Sequence, residues 1–300
     1  MSSKELLFSV FRHETTDQVP WVPFAGVHAG KLKGYTGQAM LTDGDKLLDS
    51  LLEVQKVYDP DGMPITFDLQ IEAEILGCEL VWANDAPPSV VGHPLANHLT
   101  IPTSIPQPNE GRFPMVLDTM KKMKAKVGDQ TALYGLVTGP LTLASHLRGT
   151  DLFMDTFDRP EFVQELLDYC TQVAIAVAGY YIEAGMDVIA VVDPVVSQVS
   201  PRMFKKLLHE PFKRFFDTVR EQDVFSSFFV CGDATKNIKV MCETGPDCIS
   251  IDENIDMVTA KAITDEYNIA IAGNIPLSTV MLNGTQQDTM KYVVDLMHKV

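Results

Sequence analysis

Cysteine is scarce in this chain of 300 residues, and the five cysteines it has are widely scattered: Cys78, Cys170, Cys231, Cys242 and Cys248. An odd number without a CxxC pair is not typical of a disulfide framework. Residues 1–12 also lack the basic region, apolar block and small-residue cleavage site of a signal peptide. Both absences predict a protein of the reducing cytoplasm.

Basic residues and long apolar runs are also few. The chain carries 24 Lys and Arg against 40 Asp and Glu, for a net charge of −16. Nucleic acid and anionic membranes both require a basic footprint, so neither is expected as a partner. No apolar run is long enough to span a bilayer, and the mean hydropathy is only +0.04. A hydrophobic content of 46% is nevertheless ample for a large core.

Several well-known catalytic motifs are missing. No GxGxxG follows a predicted strand, and the chain has neither a P-loop nor a GxSxG elbow. The candidate metal-ligating histidines are not spaced along the chain as metal ligands usually are, which is more typical of surface or core histidines. They are His28, His93, His98, His146 and His209. The chemistry of this chain must therefore depend on other residues.

The most informative stretch is residues 225–233, FSSFFVCGD. An apolar, aromatic-rich run of this length predicts a buried strand. Gly232 predicts a tight turn that lets the backbone approach a ligand, and residues 234–243 then predict a helix. In parallel α/β folds the turn between such a strand and helix carries chemistry.

The same order of strand and helix recurs about seven times along the chain. The predicted strands cover residues 18–26, 62–68, 131–137, 188–192, 225–230, 248–252 and 269–275. Such alternation predicts parallel pairing with right-handed crossovers. We therefore expect an α/β fold, a (β/α)8 TIM barrel formed by one domain over residues 1–300. Its seventh helix ends at Val300, so we expect the barrel to be incomplete at the eighth strand, or closed by residues 78–82 or a partner.

A proline-rich stretch interrupts this alternation at about residues 84–112. It contains six prolines and little helical periodicity. Its flanks share one composition, so it predicts an irregular insertion within the barrel domain.

Polar residues stand where the predicted strands end. Asp68, Asp193, Cys231, Asp252 and Asn274 hold this position in five strands. Any one of the carboxylates or amides would be more typical of a helix N-cap. Because the ends of parallel barrel strands meet at one mouth, the five together favour a shared acidic, amide-rich site. A reactive thiolate at Cys231 would need a basic or helix N-terminal setting, which the turn at Gly232 offers only in part.

The order and spacing of several short motifs resemble the uroporphyrinogen decarboxylase superfamily, and within it the corrinoid-dependent methyltransferase branch. The motifs are QVPWVP at 18–23, FDL at 67–69, EA at 72–73, LGC at 76–78, TGP at 138–140, DP at 193–194, IDE at 251–253 and GNIP at 273–276. The resemblance implies a (β/α)8 barrel. Its mouth would take a methyl group from methylated cobalamin on a small corrinoid protein, or would decarboxylate a tetrapyrrole.

Two branches of that superfamily differ from this chain at diagnostic positions. The decarboxylases carry an arginine-containing motif after the first strand, whereas residues 24–32 contain no Arg. The thiol-methylating members carry His-x-Cys at the end of the strand that precedes Gly232, and a later Cys completes their zinc site. Here Phe229 stands at the His position and only Cys231 remains, while the later Cys would fall beyond Val300. Because Phe cannot ligate a metal, we expect no zinc.

The loss of zinc predicts an acceptor that is nucleophilic without a metal, and N5 of tetrahydrofolate meets this requirement. The chain then resembles the methylcorrinoid:tetrahydrofolate methyltransferases of methylamine or glycine betaine demethylation. Asp193 is the predicted catalytic residue, which would set the protonation of N5. The other residues expected at the site are Asp68, Glu72, Cys231, Gly232, Asp252 and Asn274.

Three alternatives stay open at this point. One is a zinc-dependent methylcobalamin:thiol methyltransferase that acts on an acceptor like coenzyme M. Another is a non-catalytic barrel that binds a corrinoid or tetrapyrrole, and the third is a decarboxylase with a different substrate. In the main interpretation, the barrel mouth and residues 84–112 would dock the small corrinoid protein.

Overall fold

A curled, parallel β-sheet carries the fold. The computed structural model describes residues 2–300. The strands are β1 (Gly62–Pro64), β2 (Glu79–Val81), β3 (Ser89–Gly92), β4 (Ala132–Thr138), β5 (Val188–Val192), β6 (Phe225–Phe229), β7 (Cys248–Ser250) and β8 (Ala270–Ala272). Within residues 2–300, six of them form one sheet in the order β1-β4-β5-β6-β7-β8, and each neighbouring pair is parallel. This is the partial barrel that the alternating pattern predicts.

Helices surround the sheet and connect its strands. They are α1 (Ser3–Phe11), α2 (His28–Leu32), α3 (Gly37–Leu41), α4 (Gly44–Tyr58), α5 (Ile71–Ile75), α6 (Phe113–Val127), α7 (Pro140–Arg148), α8 (Asp151–Asp158), α9 (Pro160–Glu183), α10 (Pro201–Leu207), α11 (His209–Arg220), α12 (Ile238–Cys242), α13 (Met257–Glu266) and α14 (Gln286–Met297). Short 3-10 helices cover Pro194–Gln198 and Thr235–Asn237, and a π-helical segment covers Leu277–Leu282. Among residues 2–300, no helix has both the length and the apolar character needed to cross a membrane.

Side chains alternate between the inside of the barrel and the layer under the helices. On β5, Val188, Ala190 and Val192 belong to the inner cluster, whereas Ile189 and Val191 belong to the outer one. Helix α1 closes the inner cluster at the end where the strands begin. Phe11 of α1 lies 5.0 Å, between ring centroids, from Phe225 at the start of β6. The barrel is therefore plugged at this end, and its open mouth lies at the carboxyl ends of the strands.

The strand predicted over residues 18–26 does not form. Pro20 and Pro23 have no backbone N–H, so the segment cannot donate a regular ladder of hydrogen bonds. It is extended beside β1 through a single backbone bond, from the N–H of Asp61 to the carbonyl of Trp21 at 2.9 Å. Phe24 still packs against the inner cluster, so the segment fills the barrel without joining the sheet.

The expectation that residues 78–82 could close the barrel is also wrong. Strand β2 pairs antiparallel with β3 in a separate two-stranded sheet. Its residues are at least partly exposed, which is not compatible with a place inside the barrel wall. Residues 84–112 contain β3 and are tied to α9, whose Tyr169 and Tyr180 donate hydrogen bonds to the carbonyls of Ser104 and Pro106. The division of the chain into one barrel domain over residues 1–300 with an insertion at about residues 84–112 stays a prediction.

Candidate functional site

The floor of the barrel mouth is aromatic. The ring of Phe229, the last residue of β6, lies 5.3 Å from that of Phe24 and 5.8 Å from that of Phe67. Phe24 and Phe67 meet edge to face at 6.1 Å. All three rings are partly buried. We call them the aromatic floor, because they offer a ligand at the mouth an apolar surface with little competing water.

Asp193 follows β5 and caps a helix that begins after the neighbouring strand. The N-cap residue of α7 is Gly139, which has no side chain to accept a hydrogen bond. Asp193 accepts instead from the backbone N–H groups of Leu141 and Thr142, at 2.9 and 3.1 Å, and from the Thr142 hydroxyl at 2.6 Å. The carboxylate thus replaces the missing cap and joins β5 to the start of α7. Its predicted catalytic role stays a prediction.

Burial dominates the electrostatics of Asp193. The residue has no exposed surface. Burial raises its carboxyl pKa to about 6, although the hydrogen bonds from Thr142 and Leu141 oppose this rise. A carboxyl with this pKa changes protonation near neutral pH.

Gly139 leaves the space that Asp193 occupies. A Cβ added at Gly139 would collide with the Cβ and carboxylate of Asp193. We expect Gly139→Ala to displace the carboxylate and to lower the free energy of unfolding by about 1–3 kcal/mol, as measured by urea unfolding. Gly179→Ala in α9 is the control, because a Cβ there meets no atom within 4 Å. An equal loss in both variants would contradict this role for Gly139.

Asp68 forms a buried ion pair. Its side chain has no exposed surface, and the Arg112 guanidinium lies 2.5 Å from its Oδ2. Nε of Arg112 also donates to Glu74 at 2.7 Å, and the guanidinium lies over the Trp82 ring. Burial lowers the pKa of Arg112, but Asp68 and Glu74 raise it by more, so the net shift is upward. Asp68 therefore holds the segment after β1 to the end of the insertion.

Glu72 is buried at the end of β4. Its two carboxylate oxygens accept from the Thr138 backbone N–H at 3.2 Å and the Thr138 hydroxyl at 2.8 Å. Burial raises its carboxyl pKa, and these hydrogen bonds work against that rise. Glu72 thus links α5 to the end of β4.

Cys231 and Asp252 lie at the ends of the neighbouring strands β6 and β7. Both are partly buried. Burial and the nearby Asp252 carboxylate raise the pKa of the Cys231 thiol to about 11, so this thiol is mostly protonated at neutral pH. Gly232 follows with φ at +78°, a left-handed conformation that favours glycine. Asp252 accepts through Oδ1 from the backbone of Asn254 at 2.9 Å.

Asn274 follows β8 and lies under the loop after β7. Its amide nitrogen donates to the carbonyls of Asp252 and Ile255. The structure thus brings Asn274, Asp252 and Cys231 together on three adjacent strands. Asp68, Glu72 and Asp193 end up in separate buried contacts.

Three partners of the buried carboxylates were missed from the sequence: Arg112, Thr138 and Thr142. They lie 44, 66 and 51 residues from Asp68, Glu72 and Asp193, respectively. No local pattern links positions so far apart. The glycine at 139 was a usable signal for Thr142, since a helix with a glycine N-cap needs an outside acceptor.

Of the zinc ligands that the thiol-methylating members carry, this chain has one matching residue within residues 2–300. Cys231 is present, but Phe229 belongs to the aromatic floor. No three His, Cys, Asp or Glu side chains within residues 2–300 converge in a way that could hold a metal ion. The part of the chain that the structure describes does not fit a complete zinc site.

Comparison with known proteins identifies the family. The profile of uroporphyrinogen decarboxylase (URO-D) matches residues 2–299. The methylcobamide:CoM methyltransferase MtbA of Methanosarcina acetivorans is 30% identical over 297 residues, covering 95% of this chain and 86% of that protein. The methylcobamide:CoM methyltransferase MtaA of Methanosarcina barkeri is 30% identical over 232 residues, covering 75% and 67%. A solved methyltransferase from Methanosarcina mazei has a TM-score of 0.88 at 25% identity, covering 95% of this chain and 86% of that one.

These relatives overturn the predicted acceptor. Both named enzymes act on CoM, so the prediction of a tetrahydrofolate methyltransferase is wrong. The predicted cofactors, tetrahydrofolate without zinc, are wrong as well, because the expectation of a zinc-free reaction depends on the folate acceptor. The presence of Phe229 at the His position does not by itself indicate that folate has replaced a thiol as the acceptor, and the relatives do not support this inference. The fold and the branch are confirmed: this chain belongs to the uroporphyrinogen decarboxylase family, in its branch of corrinoid-dependent methyltransferases.

Proposed function

We propose that this protein transfers a methyl group from a methylcobamide, carried by a small corrinoid protein, to a small thiol. One observation carries the proposal: the likeness to a methylcobamide:CoM methyltransferase extends over 95% of the chain. A thiol of the CoM type is therefore the first acceptor to test.

The barrel mouth suits this chemistry. In the transfer, the thiol sulfur gains the methyl group and gives up its proton, while the cobalt–carbon bond breaks and both of its electrons stay on cobalt. The aromatic floor of Phe24, Phe67 and Phe229 would exclude water beneath the reacting atoms. A dry surface strengthens the interactions that orient donor and acceptor.

Asp252 is our candidate for the group that takes the thiol proton. Its Oδ1 accepts from Asn254, and within residues 2–300 no hydrogen bond is formed by its Oδ2. The carboxylate lies beside Cys231 at the mouth and is partly exposed. A carboxylate with a free oxygen at this place can act as a general base.

The donor would dock over the mouth. The segment 84–112 packs on α9, whose Tyr169 and Tyr180 donate hydrogen bonds to it, and Arg112 at its end pairs with Asp68 after β1. We infer that this segment forms part of the surface for the corrinoid protein.

Methyl transfer is tested directly with purified protein under anaerobic conditions. We expect loss of the methylcobalamin absorbance and formation of a methyl thioether with 2-mercaptoethanesulfonate, and no methylation of tetrahydrofolate. Asp252→Asn should lower the rate about tenfold or more, because it removes a general base. Asp233→Asn is the matched control, since Asp233 is exposed and, within residues 2–300, its carboxylate bonds to Thr235 alone.

Two results would count against this proposal. Absence of thioether with any thiol, also when a methylated corrinoid protein is the donor, would contradict methyl transfer to thiols. Equal rates for Asp252→Asn and Asp233→Asn would contradict only the role of Asp252 as the general base and would leave methyl transfer to thiols standing.

A further inference from the structure

Helix α14 has its apolar face turned away from the barrel. Within residues 2–300, none of the residues of this helix is buried. Met290, Val294 and Met297 are 70%, 44% and 50% exposed. They recur at helical spacing and therefore lie in one row, which we call the outer stripe. An amphipathic helix normally turns such a row towards a core, so the outer stripe needs cover from another surface.

The opposite side of α14 faces the barrel and carries the polar residues. Tyr292, Asp295, Leu296 and Lys299 line a cavity between α14 and the loop after β7, and at 3.6 residues per turn they lie on the side opposite the outer stripe. The orientation of the helix is therefore polar inward and apolar outward. A helix of only 12 residues gains most of its stability from packing, which the outer stripe does not yet provide.

The segment before α14 extends this apolar surface. Its Leu277, Met281 and Leu282 are about half exposed or more. The segment adjoins α14, because the Thr289 hydroxyl donates to the Val280 carbonyl at 3.4 Å. Together with the outer stripe, these side chains expose on the order of 600 Å² of apolar surface, against about 800 Å² of total surface per partner in a stable interface. The area is therefore sufficient for a stable contact with another protein.

The outer stripe is complementary to itself. Val294 lies in its middle, with Met290 on one side and Met297 on the other. In an antiparallel pair of α14 helices with a two-fold axis at Val294, each Met290 lies opposite Met297 of the second copy. The small Val294 side chains meet at the axis and allow the usual helix separation of about 8–10 Å. A contact of one patch with the same patch is the commonest interface of soluble oligomers.

We propose that a second copy of this chain covers the outer stripe, so that the protein is a dimer formed by antiparallel α14 helices. An anionic membrane does not suit this face, because α14 lacks the excess of Lys and Arg that such helices carry. By helical spacing, Lys291 and Asp295 lie off the outer stripe. The net charge of −16 on each copy therefore acts only across a distance, where salt screens it. This proposal does not depend on the methyl transfer.

Sedimentation equilibrium of the whole chain at physiological salt tests the dimer. At micromolar concentration we expect twice the mass of 33.2 kDa that one chain has. Val294→Lys places two like charges together at the axis and should raise the dissociation constant about a hundredfold or more. Val57→Lys is the matched control, because Val57 is half exposed on α4, and this variant should remain a dimer.

Single cysteines test the antiparallel arrangement. Under mild oxidation Val294→Cys should form a disulfide with its own copy, since its Cα atoms then lie within about 7 Å of each other. Met290→Cys should not do so alone, but it should crosslink when mixed with Met297→Cys. The unchanged protein, whose Cys231 is partly buried, is the control for this oxidation.

Thermal unfolding confirms that each variant is folded. The proposal is overturned if the chain sediments as a monomer throughout the micromolar range, or if Val294→Lys and Val57→Lys associate equally well. It is also overturned if Val294→Cys forms no disulfide between copies.

Discussion

Arg112→Met is expected to lower the free energy of unfolding by about 3–5 kcal/mol, because it leaves the Asp68 carboxylate as an unpaired charge in the interior. The side chain of Asp68 has no exposed surface, and its Oδ2 lies 2.5 Å from the guanidinium. Met keeps most of the length and the apolar stem of Arg, so packing against Trp82 is largely retained. Urea unfolding at pH 7 measures the effect.

The control for Arg112→Met is the same exchange at an exposed pair. Arg214 and Asp168 lie 3.2 Å apart with nearly half of each side chain exposed. Arg214→Met should therefore change stability by at most about 1 kcal/mol. Adding Asp68→Asn to Arg112→Met should recover part of the loss, because the buried charge is then removed. A loss at Arg112 no larger than that at Arg214 would contradict the buried pair.

Asp193→Ala is expected to be the second most damaging change. It leaves two backbone N–H groups and one hydroxyl at the start of α7 without an acceptor. At about 1–3 kcal/mol for each buried donor, the loss should reach about 3 kcal/mol at pH 5. Urea unfolding followed by circular dichroism measures this loss. Asp233→Ala, in an exposed turn, should lose about 1 kcal/mol or less.

The stability of the protein should also depend on pH through Asp193. Burial raises its pKa from the ordinary 3.8 to about 6, so the folded state holds this proton more tightly than the unfolded state. The stabilising contribution is complete below about pH 4 and is lost as the pH rises through 6. A tenfold change in proton affinity corresponds to about 1.4 kcal/mol, so this contribution amounts to about 3 kcal/mol.

Asp193→Asn separates this titration from the rest of the protein. Asn keeps one acceptor oxygen but cannot ionise, so its stability relative to the unchanged protein should rise between pH 5 and pH 7. A constant difference across this range would show that Asp193 does not titrate there. Asp193→Ala then reports the full loss of the cap.

Strand order and the position of the polar residues were within reach of sequence reasoning. All six strands of the sheet correspond to predicted segments: β1 and β5 to β8 lie within them, and β4 extends one residue beyond its segment. Fully buried strands such as Val188–Val192 are recognisable because they are continuous apolar runs. Polar residues at the strand ends could be placed at one mouth by topology alone. Residues 18–26 are the exception: their apolar pattern predicts a strand, but Pro20 and Pro23 have no backbone N–H to donate to a neighbouring strand.

The partners of those polar residues were out of reach. Whether Asp193 faces a ligand or caps a helix depends on where α7 begins in space, and it is the pairing of β4 with β5 that brings the start of α7 next to Asp193. The same holds for Asp68, whose partner Arg112 comes from the far end of an insertion.

Local composition and period are properties of neighbouring residues, so the chain alone specifies the alternating helices and strands, the acidic surface and the family motifs. The burial of a carboxylate, its pKa and its bonding partner arise from contacts between residues 44 to 66 positions apart. Such contacts exist only after the sheet has curled and the helices have packed on it. The tertiary structure therefore decided which strand-end residues support the barrel, and it left Cys231, Asp252 and Asn274 together at the mouth.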